Sequence, residues 1–177
     1  FAYKHDQDNL QIVNHLCEKY QNKVSFQWMG VPTRVRDIHA DSKDAKVPYS
    51  NILAQNSQVR LLEAYRISVP DLLKQTDILF FYISRHRHEP WPRTIAEGMM
   101  GGCCCVTNNS HGMKEQIKHG KTGFLFDKTQ DATDILSDLI ENPNKIAKVG
   151  SAAQEHAKKH FLDEVVVKDM LHFLETE

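Results

Sequence analysis

Six consecutive apolar residues, Ile78-Leu-Phe-Phe-Tyr-Ile83, follow Asp77 and constrain the fold more than any other stretch of the chain. The run falls far short of the ~20 residues that span a bilayer. Its β-branched and aromatic content reads as a strand over residues 77–83. A strand with no polar alternation has no face to give to water, so it belongs in the middle of a parallel sheet covered by helices on both sides. The rest of the sequence supplies such helices and further strands. Leu10, Val13, Cys17 and Tyr20 recur at helical spacing behind Asp6 and Asp8, two acids of the capping type. Residues 24–29 read as a strand ending at Gly30, residues 59–62 as the next, and residues 69–75 as a short helix. Ala132, Ile135, Leu136, Leu139 and Ile140 share one helix face; Val166, Met170, Phe173 and Leu174 share another. This alternation predicts an α/β fold with a parallel sheet flanked by helices. Residues 31–57 are polar, contain Pro32 and Pro48, and run longer than usual connections. They are expected to form a surface excursion with a short helix near residues 51–54.

A chain of 177 residues suits a single domain, residues 1–177. Its formal net charge of −1 gives no basic excess of the kind that binds nucleic acid or an acidic membrane. No transmembrane segment is expected. Phe1 opens without the basic region and apolar core of a signal peptide, and the chain is expected to be a clipped piece of a longer one. Cys103-Cys104-Cys105 falls in a predicted strand, where neighbours point to opposite faces and three thiolates cannot meet one metal. These cysteines are read as reduced, buried, small apolar residues, and the four cysteines show no spacing of a disulfide framework. His86 and His88 lack Cys or carboxylate partners at ligand spacing, so Arg85-His-Arg-His88 is not read as a metal site. Two readings of that loop stay open: cations that steady developing negative charge, or a solvated loop.

The chemistry concentrates in Glu89-Pro-Trp-Pro-Arg-Thr-Ile-Ala-Glu97, with two carboxylates eight positions apart. Pro90 crowds the backbone of Glu89 out of the helical region, which places Glu89 in a loop. Pro92 is suited to a first helical position, and Glu97 then falls on the second turn. Free backbone amides and the positive dipole end lie between two acceptors for hydroxyl-rich groups, an arrangement that favours a phosphate. Downstream, Gly98-Met-Met-Gly-Gly-Cys-Cys-Cys-Val106 reads as a helix breaking at paired glycines before a strand. Ser110-His-Gly-Met-Lys-Glu115 opens another helix, and Lys121-Thr-Gly-Phe-Leu-Phe126 ends in a further strand.

In order and spacing, this series over residues 78–127 resembles the C-terminal, nucleotide-sugar-binding half of retaining GT-B glycosyltransferases of the group 1 type. The resemblance implies a Rossmann-like domain, the C-terminal half of a GT-B fold. It implies a nucleotide diphosphate sugar as donor, no metal cofactor, and an N-terminal acceptor-binding domain beyond this chain. Glu97 is implied as the acceptor for the ribose hydroxyls, and Glu89 as the catalytic-site carboxylate beside the transferred sugar. Trp91, Pro92, Arg93, Thr94, His111, Gly112 and Lys4 are implied around the donor sugar and diphosphate. Three departures stand out. Pro92 replaces the family's glycine and has no N–H; His111-Gly112 replaces a Gly-Gly turn; of the basic pair that grips the diphosphate, only Lys4 or His5 is available as the Lys. The alternatives are a non-catalytic nucleotide- or sugar-binding module and a nucleotide-sugar epimerase of the same fold. The expected location is cytoplasmic, with any membrane association residing in the part of the enzyme outside this chain.

Overall fold

The structure, a computed structural model, describes residues 6–31, 56–63, 67–83, 89–110 and 112–167. Its elements in chain order are α1 (Asp6–Tyr20), a 3-10 turn (Gln21–Lys23), β1 (Phe26–Val31), β2 (Val59–Glu63), α2 (Val69–Leu73) and β3 (Ile78–Phe81). There follow α3 (Arg93–Met100), β4 (Cys104–Asn108), α4 (Met113–Gln116), β5 (Phe124–Phe126), α5 (Thr129–Glu141) and α6 (Pro143–His160). Among the described residues, every strand pairing is parallel. β1 and β2 form one sheet, and β3, β4 and β5 form another in that order, with β4 central.

All five residues of β4 are buried, and they alternate between two cores as strand geometry requires. Cys104 and Val106 join Ile12 and Leu16 of α1, Phe126 of β5, and Leu136 and Leu139 of α5. Cys105 points the other way, among Ile95 and Met99 of α3 and Ala153 and Ala157 of α6. Each large apolar side chain buried here contributes ~1.5–3 kcal/mol. That exceeds what helix propensity supplies, so packing on β4 is what holds the short helices.

The cysteine reading holds: all four thiols are free and buried. Cys103 Sγ donates to the Thr76 carbonyl at 3.1 Å. Burial pushes the Cys103 thiol up to about 11 and Cys104 up to about 12, and raises Cys105 as well. Native protein at pH 8 is therefore expected to resist iodoacetamide at these thiols until denaturant is added. The linkage has a definite sign. Above pH ~9 the unfolded chain releases thiol protons that the folded chain keeps, so stability falls as pH rises from ~9 toward 12. Urea midpoints at pH 8 and pH 10.5 measure it, and the higher pH should give the lower midpoint.

Three features differ from the sequence expectation. β1 starts at Phe26 rather than residue 24 and includes Gly30 and Val31. β3 is shorter than the apolar run, and Ile78, Leu79 and Phe80 are only half-buried, because β3 is an end strand of its sheet with one flank on a cavity. The longest helix, α6, has no counterpart in the sequence reading; its buried face is Val149, Gly150, Ala153 and Ala157. A Cβ at Gly150 would fall inside the Gly102 carbonyl, so α6 meets the turn after α3 backbone to backbone. Gly102 holds φ at +81°, a conformation that favours glycine. Val166 lies exposed in a helical turn at residues 163–167. Lys4, His5, residues 32–55, the loop Arg85 to His88, His111, and Met170, Phe173 and Leu174 lie outside the described residues.

Candidate functional site

Ligands of open parallel α/β sheets bind beyond the carboxyl ends of the strands. Two turns meet there: Glu89 to Pro92, which leads from the end of β3 into α3, and Asn109 to Gly112, which leads from β4 into α4. Glu89 is half-buried at the start of the first turn. Trp91 is 43% exposed, and its ring meets Phe161 edge-on at 5.3 Å, fastening this turn to the end of α6. Pro92 is buried. It is the N-cap of α3 rather than its first helical residue, with φ −69° and ψ 110°. The extended ψ directs its carbonyl to where both Ile95 N (3.1 Å) and Gln116 Nε2 (3.4 Å) donate to it.

Among the described residues, no side chain caps α3. The first amides of a helix have no acceptor within it, so Arg93 and Thr94 present N–H groups and the positive dipole end at the mouth of the turn. The side chain of Arg93 is exposed and that of Thr94 half-buried; Glu97, on the second turn, is exposed. The opposite face of α3, Ile95, Gly98 and Met99, is buried and anchors the helix.

The second turn is held by Asn108, which ends β4. Its Oδ1 accepts from Ile83 N at 3.1 Å, and its Nδ2 donates to Ser110 Oγ at 3.2 Å, linking the ends of β3 and β4. Asn109 Nδ2 donates to Asp127 Oδ1 at 3.2 Å. Gly112 has an ordinary φ of −63°. Its need for glycine is spatial, because a Cβ there would fall inside the Pro90 carbonyl oxygen. The two turns thus touch through bare backbone, and the buried Gln116 ties them a second time through Pro92. Gln116 Oε1 is buried and has no hydrogen-bond partner among the described residues. Among the described residues, no three His, Cys, Asp or Glu side chains gather to hold a metal, and no helix is long and apolar enough to cross a membrane.

Of the residues singled out in the sequence, Trp91, Pro92, Arg93, Thr94 and Gly112 come together in these turns. Glu89 leads into them and Glu97 lies one turn along α3. Asn108, Gln116 and Phe161, which shape the site, were missed. A polar residue closing an otherwise apolar strand was a usable signal for Asn108. Nothing in the sequence separates Gln116 from a solvated helix residue, or Phe161 from ordinary core.

Residues 7–156 match the family described as glycosyl transferases group 1. A stretch of 82 residues is 29% identical to the trehalose synthase of Pyrococcus horikoshii, covering 46% of this chain and 19% of that protein. HepE of Anabaena, solved in complex with UDP, is similar over 100% of this chain and 46% of its own, with a TM-score of 0.77 and 21% identity. The C-terminal domain of LpcC, a glycosyl transferase group 1 family protein of Francisella tularensis, is similar over 92% of this chain and 82% of its own, with a TM-score of 0.72 and 18% identity. The chain therefore spans less than half of HepE and about a fifth of the trehalose synthase.

Proposed function

Because the chain belongs to the glycosyl transferases group 1 family and has the fold of a GT-B C-terminal domain, we propose that it is the donor-binding domain of a retaining glycosyltransferase. The full enzyme moves a sugar from a nucleotide diphosphate sugar to a hydroxyl acceptor, without a metal cofactor. The acceptor-binding groups belong to an N-terminal domain outside this chain, and a cytoplasmic location is part of the same reading. The observation that carries it is the uncapped mouth of α3 set against the Gly112 turn at the carboxyl ends of β3 and β4.

In this reading the diphosphate lies at the amides of Arg93 and Thr94, where the helix dipole favours negative charge. Glu97 accepts the two ribose hydroxyls through charge-assisted hydrogen bonds. Glu89 lies beside the transferred sugar, with Trp91 and Gly112 shaping the pocket, and Lys4 and His111 as further contacts from outside the described residues. Catalysis comes from positioning and from stabilising the leaving diphosphate. The solved HepE holds UDP, which supports a uridine nucleotide as the first donor to test. Adding UDP to isotope-labelled protein should shift the amide resonances of Arg93, Thr94, Ile95 and Gly112. Shifts confined to other parts of the chain would remove the site assignment.

Pro92 distinguishes an active site from a weakened binding module. It lacks the N–H that a glycine would offer the donor, and its carbonyl ties survive replacement. Pro92→Gly is expected to tighten UDP binding by ~1 kcal/mol, the size of one recovered hydrogen bond. It should also lower stability by ~0.4–1 kcal/mol through greater freedom of the unfolded chain. Calorimetry and urea melts on the same variant measure both. Weaker binding would instead make Pro92 part of a specialised pocket shape.

A further inference from the structure

His156 and His160 lie four positions apart at the C-terminal end of α6, so they share one face of the helix. Their ring centres are 4.5 Å apart, with the planes tilted by 47°. His156 is half-buried and His160 is exposed. We propose that this pair is a chelating site for a divalent transition metal of the copper or nickel class, separate from the mouth of α3.

The spacing of the rings selects the metal. Imidazole suits copper, nickel and zinc alike. A metal ~2.1 Å from an imidazole nitrogen lies roughly 3.2 Å from the ring centre. Two ring centres 4.5 Å apart then subtend about 90° at one shared ion. That is the cis angle of tetragonal coordination, which copper and nickel favour; a tetrahedral zinc ion would set the centres roughly 5.2 Å apart. Among the described residues, no third His, Cys, Asp or Glu joins the pair. Water therefore completes the shell, on the exposed side at His160.

The surroundings hold one ring ready and leave the other free to turn. The His156 ring meets Phe161 edge-on at 5.4 Å, and Phe161 meets Trp91 edge-on at 5.3 Å. His160 is the last residue of α6, where the final carbonyls lack intrahelical donors and carry the negative end of the dipole, which favours a cation. Lys118 and Lys159 oppose it with positive charge near His156. Water and salt screen such exposed charges, whereas two coordinate bonds from one face are not screened, so the chelate outweighs the repulsion. A bound metal closes the last turn of α6 and steadies Phe161 against the Trp91 turn. The proposal holds whether or not a nucleotide binds at the mouth of α3.

The test titrates Cu²⁺ into isotope-labelled protein at neutral pH in a non-chelating buffer. No nucleotide is added, because its phosphates would take the metal. The paramagnetic ion should broaden the amide resonances of residues 156–161 and of Trp91. His160→Gln, at an exposed helix end, should raise the copper concentration needed for that broadening at least roughly tenfold, since the second imidazole of a chelate acts at high effective concentration. His156→Gln should do the same, and if its loss of packing on Phe161 unfolds the chain, His160→Gln decides alone. Ni²⁺ should compete with copper for the site, and excess Mg²⁺ should not. Broadening at residues 156–161 that is unchanged in His160→Gln means a single-imidazole contact and overturns the proposal. So does copper that broadens other parts of the chain and leaves residues 156–161 sharp. Displacement of copper by Mg²⁺ would mean oxygen ligands and would overturn it as well.

Discussion

Gly112→Ala is expected to weaken UDP binding on the order of 10²-fold and to destabilise the protein by about 1–3 kcal/mol, the range for forcing an added methyl into a closed contact. The added Cβ would fall inside the Pro90 carbonyl oxygen, and the nearest obstacles are all backbone: the Pro90 carbonyl carbon and the Trp91 Cα. No flexible side chain can swing away. The Glu89 to Pro92 turn must then retreat by well over an ångström, carrying the first amides of α3 with it. Displacements of that size at a positioned site cost on the order of 10²-fold. The φ of −63° is open to alanine, so the loss comes from collision and not from backbone strain. A Gly112→Ala protein that binds UDP normally would mean the two turns do not form one site.

Phe126→Ala should lower stability by ~3–5 kcal/mol. Phe126 is 2% exposed and ends β5, where it stacks on Phe80 at 5.9 Å and meets Tyr82 edge-on at 5.0 Å. Such aromatic pairs add ~0.5–1.5 kcal/mol beyond area burial. Phe80 and Tyr82 also line the cavity between the sheets. Truncation would leave them packed on empty space on two sides, with little chance of collapse. Urea denaturation of the variant measures the loss; a change below ~1 kcal/mol would show that this layer is not well packed.

What the sequence disclosed follows from how each element meets its neighbours. β5 and α5 pack through large apolar residues at regular period, and Phe126, Leu136 and Leu139 announce them. α6 packs through Gly150, Ala153 and Ala157 on a glycine turn, and its outer face carries Lys145, Lys148, Lys158 and Lys159. That pattern reads as a solvated surface unless small residues at helical spacing are counted as a packing face. The apolar run 78–83 suggested a central strand; in the described structure β3 ends its sheet beside a cavity. At the site, the helix mouth was visible because Pro90 and Pro92 restrict the backbone so tightly. The contact between Pro90 and Gly112 was not, because it depends on two turns 22 residues apart meeting at the end of the sheet.

The proposed site, the mouth of α3 and the Gly112 turn, holds a nucleoside diphosphate without a metal. Calorimetric titration of the folded chain with UDP, GDP and ADP in excess chelator, repeated with Glu97→Ala, decides this. The prediction is saturable one-to-one binding of at least one nucleotide, weakened in Glu97→Ala by ~1.5–3 kcal/mol for each charge-assisted hydrogen bond lost. Folded protein that takes up none of the three at millimolar ligand, or that binds equally well with Glu97→Ala, would contradict it.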